Sequence, residues 1–284
     1  MAGRQVIYNL NGGTFSDGSA LTEKHNEGET VTVKLEPKRN GYEFTGWTVE
    51  GLNDVTTINS GENFRMPNNN VTITANWKER KIEDYVTVTP KDVEEVYDGN
   101  AHAAGIATVS AKKEGANLEG IKIEYQKADG SWTTNPAEVT ATNVSDSRTV
   151  KVRVSNEAKY TGYIEVEEKL TITRRPVTVT ANSYQKTYKE ADPEFTAKIE
   201  GTLGNDTVDY NLSREAGEDA GKSYAITPAG EEKQGNYKVT YKPGTLTIVA
   251  AQRTTELSVT SYNGVYDANN HTIAVNGTVE VDKV

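Results

Sequence analysis

Alternation with a period of two runs through most of this chain. The stretches "TVTVKL" (30–35), "NVTITANW" (70–77), "DYVTVTP" (84–90), "TVKVRV" (149–154), "KLTITRRPVTVT" (169–180) and "GTLTIVA" (244–250) set β-branched residues against Thr, Lys or Arg. Successive side chains of a strand point to opposite faces, so this pattern predicts strands with one face buried and one wet. Asn11-Gly12, Asp17-Gly18, Asp98-Gly99, Asp129-Gly130 and Gly204-Asn205 separate them, pairs that tolerate the positive φ of tight turns. No sustained helical periodicity competes. The chain is expected to be mainly β.

Three strands share one closing cadence: Val71-Thr72-Ile73-Thr74, Leu170-Thr171-Ile172-Thr173 and Leu246-Thr247-Ile248-Val249. Each is followed by a basic residue and a fresh strand, at Val86-Thr87-Val88, Val177-Thr178-Val179 and Leu257-Ser258-Val259. Cutting there gives modules at 1–80, 81–174, 175–250 and 251–284, with linkers as short as Arg174-Arg175. Pro176 falls where a strand begins, a position that needs no ladder donor. The second and fourth modules open alike, with "VYDGNAH" at 96–102 and "VYDANNH" at 265–271. The fourth reads as the start of a further copy of the second, too short to bury a useful core. Such repetition marks an array whose units contact mainly their neighbours. Modules of about 80 residues are near 30 Å across, so three in line predict an elongated arrangement on the order of 100 Å.

Composition narrows the function. There is no Cys, which removes disulfides, thiolate nucleophiles and Cys-ligated zinc together, and is common in surface proteins of Gram-positive bacteria. The formal net charge is −10, with no basic footprint for a phosphate backbone; nucleic acid is not an expected partner. Hydrophobic residues make up 35% and the mean hydropathy is −0.67. No run of 18 apolar residues spans a membrane. The opening "MAGRQVIYNL" lacks the apolar core of a signal peptide and no L-P-x-T-G sorting motif closes the chain, so a fragment of a longer protein is expected.

Residues 5–77 carry Tyr8-Asn9-Leu10-Asn11-Gly12-Gly13, then Gly41-Tyr42, Phe44, Gly46-Trp47, Met66-Pro67 and Trp77. Together they resemble the Listeria–Bacteroides repeat, the internalin-type B-repeat of bacterial surface proteins, which implies a small β-grasp-like fold. Residues 175–250 look like the MBG repeats of large Gram-positive adhesins, through Tyr188, Asp192-Pro193, Phe195, Gly235-Asn236-Tyr237 and Gly244-Thr245-Leu246-Thr247-Ile248. Residues 81–173, with Tyr97-Asp98-Gly99, resemble a YDG-type module of the same proteins, and 251–284 its beginning. The resemblance implies tandem small β domains: a β-grasp-like N-terminal module, then β-sandwich or β-grasp-like modules. It implies a cell-wall-anchored, extracellular protein and supplies no catalytic residues.

The expected function is therefore that of a non-enzymatic stalk that carries a distal binding domain, monomeric, with neighbouring repeats of the same chain as its partners and no cofactor. The rival is direct recognition of host glycans, mucin among them, or of a host surface or matrix protein by one module. Trp132, in "DGSW" just after a turn, is the candidate ligand-binding aromatic. In "GYEFTGW", strict alternation sets Tyr42 and Phe44 on one face and Trp47 on the other, and one face must be core. His25, His102 and His271 show no ligand spacing, and no calcium-loop pattern surrounds Asp98 or the 215–219 acids. No nucleophile elbow or phosphate loop appears, so no catalytic residue is expected. A Lys–Asn isopeptide staple beside an acid would need no Cys, but sequence cannot pair its members. Lys and Glu in "YIEVEEKLTIT" (163–173) read as charges that protect an exposed sheet edge.

Overall fold

Val6 and Tyr8 leave the strand Arg4–Asn9 on the same side and both are buried. That face meets the parallel strand Val71–Glu79, with Val6 opposite Val71 and Tyr8 opposite Ile73. In the computed structural model, which describes residues 3–251, 258–260, 263–271 and 274–276, this central pair is flanked by Thr22–His25 on one side. Tyr42–Glu50 and then Thr57–Ile58 complete the other side of the five-stranded sheet. First and last strands running parallel at the centre give the β-grasp-like arrangement expected of this region. The core includes Val6, Tyr8, Val31, Val33, Trp47, Val49, Met66, Val71, Ile73 and Ala75.

Strict alternation fails in "GYEFTGW". The ladder between Tyr42–Glu50 and Val71–Glu79 slips between Phe44 and Gly46, and Gly46 takes φ +133°. This bulge inserts a residue and resets the parity. Phe44 and Trp47 therefore meet edge to face at 5.0 Å in one core. Only a glycine is at ease in that backbone region.

The chain divides into two units. One holds Met1–Glu94, Ala101–Ala141 and Ser147–Thr171; the other holds Glu95–Asn100, Thr142–Asp146 and Ile172–Val284. Within the first unit, residues 84–90 are not one strand. Ile82–Tyr85 makes a single helical turn that buries Ile82 and Tyr85, and the strand Val86–Thr89 follows. A second five-stranded sheet runs in the order Trp132–Thr133, Lys122–Gln126, Arg148–Ser155, Tyr163–Thr173, Val93–Val96. Val150, Val152 and Val154 are its inward row. The expectation that 163–173 forms an exposed edge is wrong: the strand is internal, with Tyr163–Leu170 paired to Arg148–Ser155. Its charges serve cross-strand pairs, Glu165 taking Lys151 at 3.0 Å and Arg153 at 3.3 Å.

In the second unit, Arg175–Ala181 pairs in parallel with Tyr237–Lys242, and Tyr184–Thr187 in parallel with Gly244–Val249. Two four-stranded sheets result. Only Arg174 separates Tyr163–Thr173 from Arg175–Ala181. Val177, Val179, Val208, Tyr237 and Val239 form one cluster, and Ala181, Ile226 and Leu246 another.

Most of the expected further module at 251–284 lies outside the described residues. Of the rest, Ser258–Thr260 pairs antiparallel with Ala274–Asn276. The turn between them copies the earlier one. Asp267 accepts the Asn269 N–H at 3.0 Å, as Asp98 accepts that of Asn100 at 2.8 Å. Ala268 and Gly99 both take positive φ, +62° and +82°.

Candidate functional site

Arg80 and Lys81, the residues that leave the first sheet, are bonded on both sides. The Arg80 N–H donates to the Gly41 carbonyl at 2.9 Å, and the Arg80 carbonyl accepts from Thr161 N–H at 2.9 Å. One residue on, Ile82 N–H donates to Thr161 O at 3.0 Å, and Lys81 bridges Thr161 in parallel. The Thr161 hydroxyl donates to Glu79 at 2.8 Å. The Arg80 guanidinium lies over Tyr85 at 4.6 Å and Tyr160 at 5.5 Å, and donates to Gly115 O at 2.9 Å. Tyr85 and Tyr160 belong to the core that follows, so the cation clamps that core to the strand it leaves. Gly41 completes the contact: at φ +76° it faces Tyr160 and Thr161, and a Cβ there would meet Thr161 Cγ2 at 2.7 Å and Tyr160 C at 3.1 Å. No free linker residue stands between the strand Val71–Glu79 and the helical turn Ile82–Tyr85.

The wet face of the second sheet holds the candidate binding residues. Trp132, on a two-residue edge strand opposite Gln126, is half-buried rather than exposed. The Arg153 guanidinium covers its ring at 4.2 Å and covers Tyr163 at 4.4 Å. Tyr163 is the exposed aromatic, at 54%. With Lys122, Glu124, Ser155 and Glu157 it borders an open depression of about 570 Å³. Sequence reasoning missed Tyr163, although its outward parity on 163–173 was the signal for it. Among the described residues no group of three or more His and carboxylate side chains could hold a metal ion. The Asp98 carboxylate is engaged by the backbone and side chain of Asn100.

Two family models match the chain: a divergent InlB B-repeat domain over residues 6–81 and an MBG domain of the YGX type over residues 177–247. The chain contains a B-repeat domain and an MBG domain. Both are repeat domains and not enzyme families. No curated protein matches the chain. Solved structures similar to it include extracellular domains 3–5 of Drosophila OTK, at 11% identity and TM-score 0.23, covering 60% of this chain and 67% of that one. The EC1-2 pair of human mucin-like protocadherin, at 8% identity and TM-score 0.23, covers 59% of this chain and 100% of that one. Likenesses this slight bear on neither fold nor function. No helix among the described residues is long and apolar enough to cross a membrane.

Within the MBG domain one lysine is buried. Lys186 donates to Asp192 and pairs with Glu218, each at 2.7 Å, and donates to Glu190 O at 3.1 Å. Arg214 grips the same Asp192 through Nε at 2.9 Å and Nη2 at 3.2 Å, and also pairs with Glu218. The hydrogen bond to Asp192 holds the Lys186 ammonium above the ordinary lysine range, and Arg214 holds the Asp192 carboxyl below its own. The partners are two carboxylates, a guanidinium and a backbone carbonyl, with no Asn amide among them, so the cluster is an ion network.

Proposed function

We propose that this segment is a non-enzymatic spacer of a bacterial cell-surface adhesin, extracellular and monomeric, that projects a distal binding domain from the wall. The observation that carries this reading is the joint at Gly41, Arg80 and Thr161, where no linker residue is left unbonded. A spacer works by holding geometry, and a clamp of hydrogen bonds and a stacked guanidinium removes the bending that a flexible linker would permit. The family matches support the adhesin setting, since B-repeat and MBG domains occur here in one chain.

Direct recognition of a host glycan or host protein is the second reading, favoured by the Tyr163 face. An exposed ring beside Arg153, Lys122, Glu124 and Glu157 offers a stacking surface with donors and acceptors for hydroxyl groups. A glycan and host-matrix array probed with the whole chain separates the two. The spacer reading expects no specific signal. A signal that falls tenfold or more on Tyr163→Ala or Trp132→Ala, with the fold intact by circular dichroism, would give the function to this face.

A further inference from the structure

Tyr97 seats the first "VYDGN" turn, residues Glu95–Asn100 of the second unit, on the MBG core. Its ring meets Tyr237 edge to face at 5.6 Å and packs on the cluster of Val177, Val179, Val208 and Val239. Its N–H donates to Thr173 O at 2.9 Å. The receiving side is well braced: the buried Tyr237 hydroxyl accepts from Leu203 N–H at 3.1 Å and donates to Asp206. Leu203 in turn approaches Gly99, whose Cβ would lie 3.6 Å from Leu203 Cδ1.

The second copy of the motif makes the same Asp-capped turn, with the same positive-φ residue after the Asp. Its apolar residues face solvent instead: Val265 is 89% exposed and Tyr266 is 92% exposed. An Asp-capped turn here presents adjacent bare valine and tyrosine side chains to solvent, the chemistry of an apolar contact surface.

We propose that the turn 265–269 is a docking element for the Tyr237–Leu203–Asp206 acceptor of an MBG domain, in a second copy of this chain, where Tyr266 takes the place held by Tyr97. The chain itself supplies the argument for that occupant, since the same motif in the same turn is seated on this acceptor within the second unit. Tyr97 acts as the internal competitor. While it fills the acceptor, a chain can donate its second turn but cannot receive one, and copies stay apart. This inference goes beyond the spacer reading and does not depend on it.

Mixing two forms of the full chain tests the proposal. Tyr97→Ala/Tyr266→Ala has an open acceptor and no donor, whereas the wild-type chain has a donor and a filled acceptor. Sedimentation velocity is expected to show a 1:1 complex between them. Replacing the wild-type partner with Tyr266→Ala should weaken that complex about tenfold or more, the scale of losing one well-packed aromatic contact. Circular dichroism checks that the acceptor form keeps its β spectrum; if Ala at 97 unfolds it, Tyr97→Leu replaces it in the same pair of mixtures. Absence of a complex with a folded acceptor, or a complex equally strong with the Tyr266→Ala partner, would overturn the proposal.

Discussion

Glu168→Gln is expected to raise the stability of the first unit at pH 7.5 by about 1–3 kcal/mol, because the amide removes the charge of a buried, under-paired carboxylate while keeping its shape. Glu168 is 1% exposed, on the inward row of Tyr163–Thr173 between Val166 and Leu170. One carboxylate oxygen accepts the Lys91 N–H at 3.2 Å, and the other, Oε1, has no hydrogen-bond partner. Burial pushes its carboxyl above the ordinary glutamate range, the Lys91 N–H opposes that, and the charge of nearby Asp92 adds to the rise. The sign follows from linkage. A folded state that holds the proton more tightly than the unfolded chain gains stability below the unfolded pKa. It loses that gain as pH rises through the folded pKa. Wild type should therefore weaken from mildly acidic to neutral pH through this group, while the Gln variant, with no proton to lose here, should not. Urea unfolding of both proteins across that range measures the difference, which should shrink towards acid. A gap that widens towards acid would refute the assignment.

Trp47→Ala is expected to cost about 3–5 kcal/mol, enough to unfold the B-repeat domain in a large fraction of molecules. Trp47 is 1% exposed. Its ring meets Tyr8 at 5.7 Å, Phe44 at 5.0 Å and Phe15 at 6.2 Å, and its Nε1–H donates to Ser60 Oγ at 3.0 Å. Removing it empties the centre of a small core and leaves the Ser60 hydroxyl without that donor. Amide spectra should show the signals of residues 4–79 collapsing while those of 175–249 persist. Retention of the first set would mean that the core repacks around the cavity.

Much of this was legible in the sequence because alternation and turn chemistry are local. Asn11-Gly12 takes positive φ at both residues, +47° and +87°, as a tight turn between strands requires. Thr149–Val154 and Gly244–Val249 are strands with the parity that their β-branched residues announce. What escaped depends on packing between elements. The bulge at Gly46 reverses parity and has no local signal stronger than one glycine. Arg80 and Gly41 lie 39 positions apart, so nothing in the sequence joins them. Glu168 was the nearest miss: counting by twos from Leu170 places it inward, yet its neighbours Glu165 and Glu167 make the segment read as a solvated edge. The repeated "VYD" motif was visible as repetition, whereas the task of Tyr97 emerged only from the ring against Tyr237. For Trp132, the fold shows Arg153 stacked on its ring and places the exposed aromatic three strands away at Tyr163.

The spacer account rests on the joint around Arg80, and a distance distribution tests it most directly. The chain has no native Cys, so Glu27→Cys and Ala128→Cys, both at exposed positions of the first unit, take spin labels without background. Double electron–electron resonance should give one narrow distance distribution in the labelled protein. The distribution should broaden when Arg80→Ala removes the clamp, with the fold of both regions retained. A broad distribution with Arg80 in place, unchanged by Arg80→Ala, would mean that the joint bends freely and would contradict the spacer account.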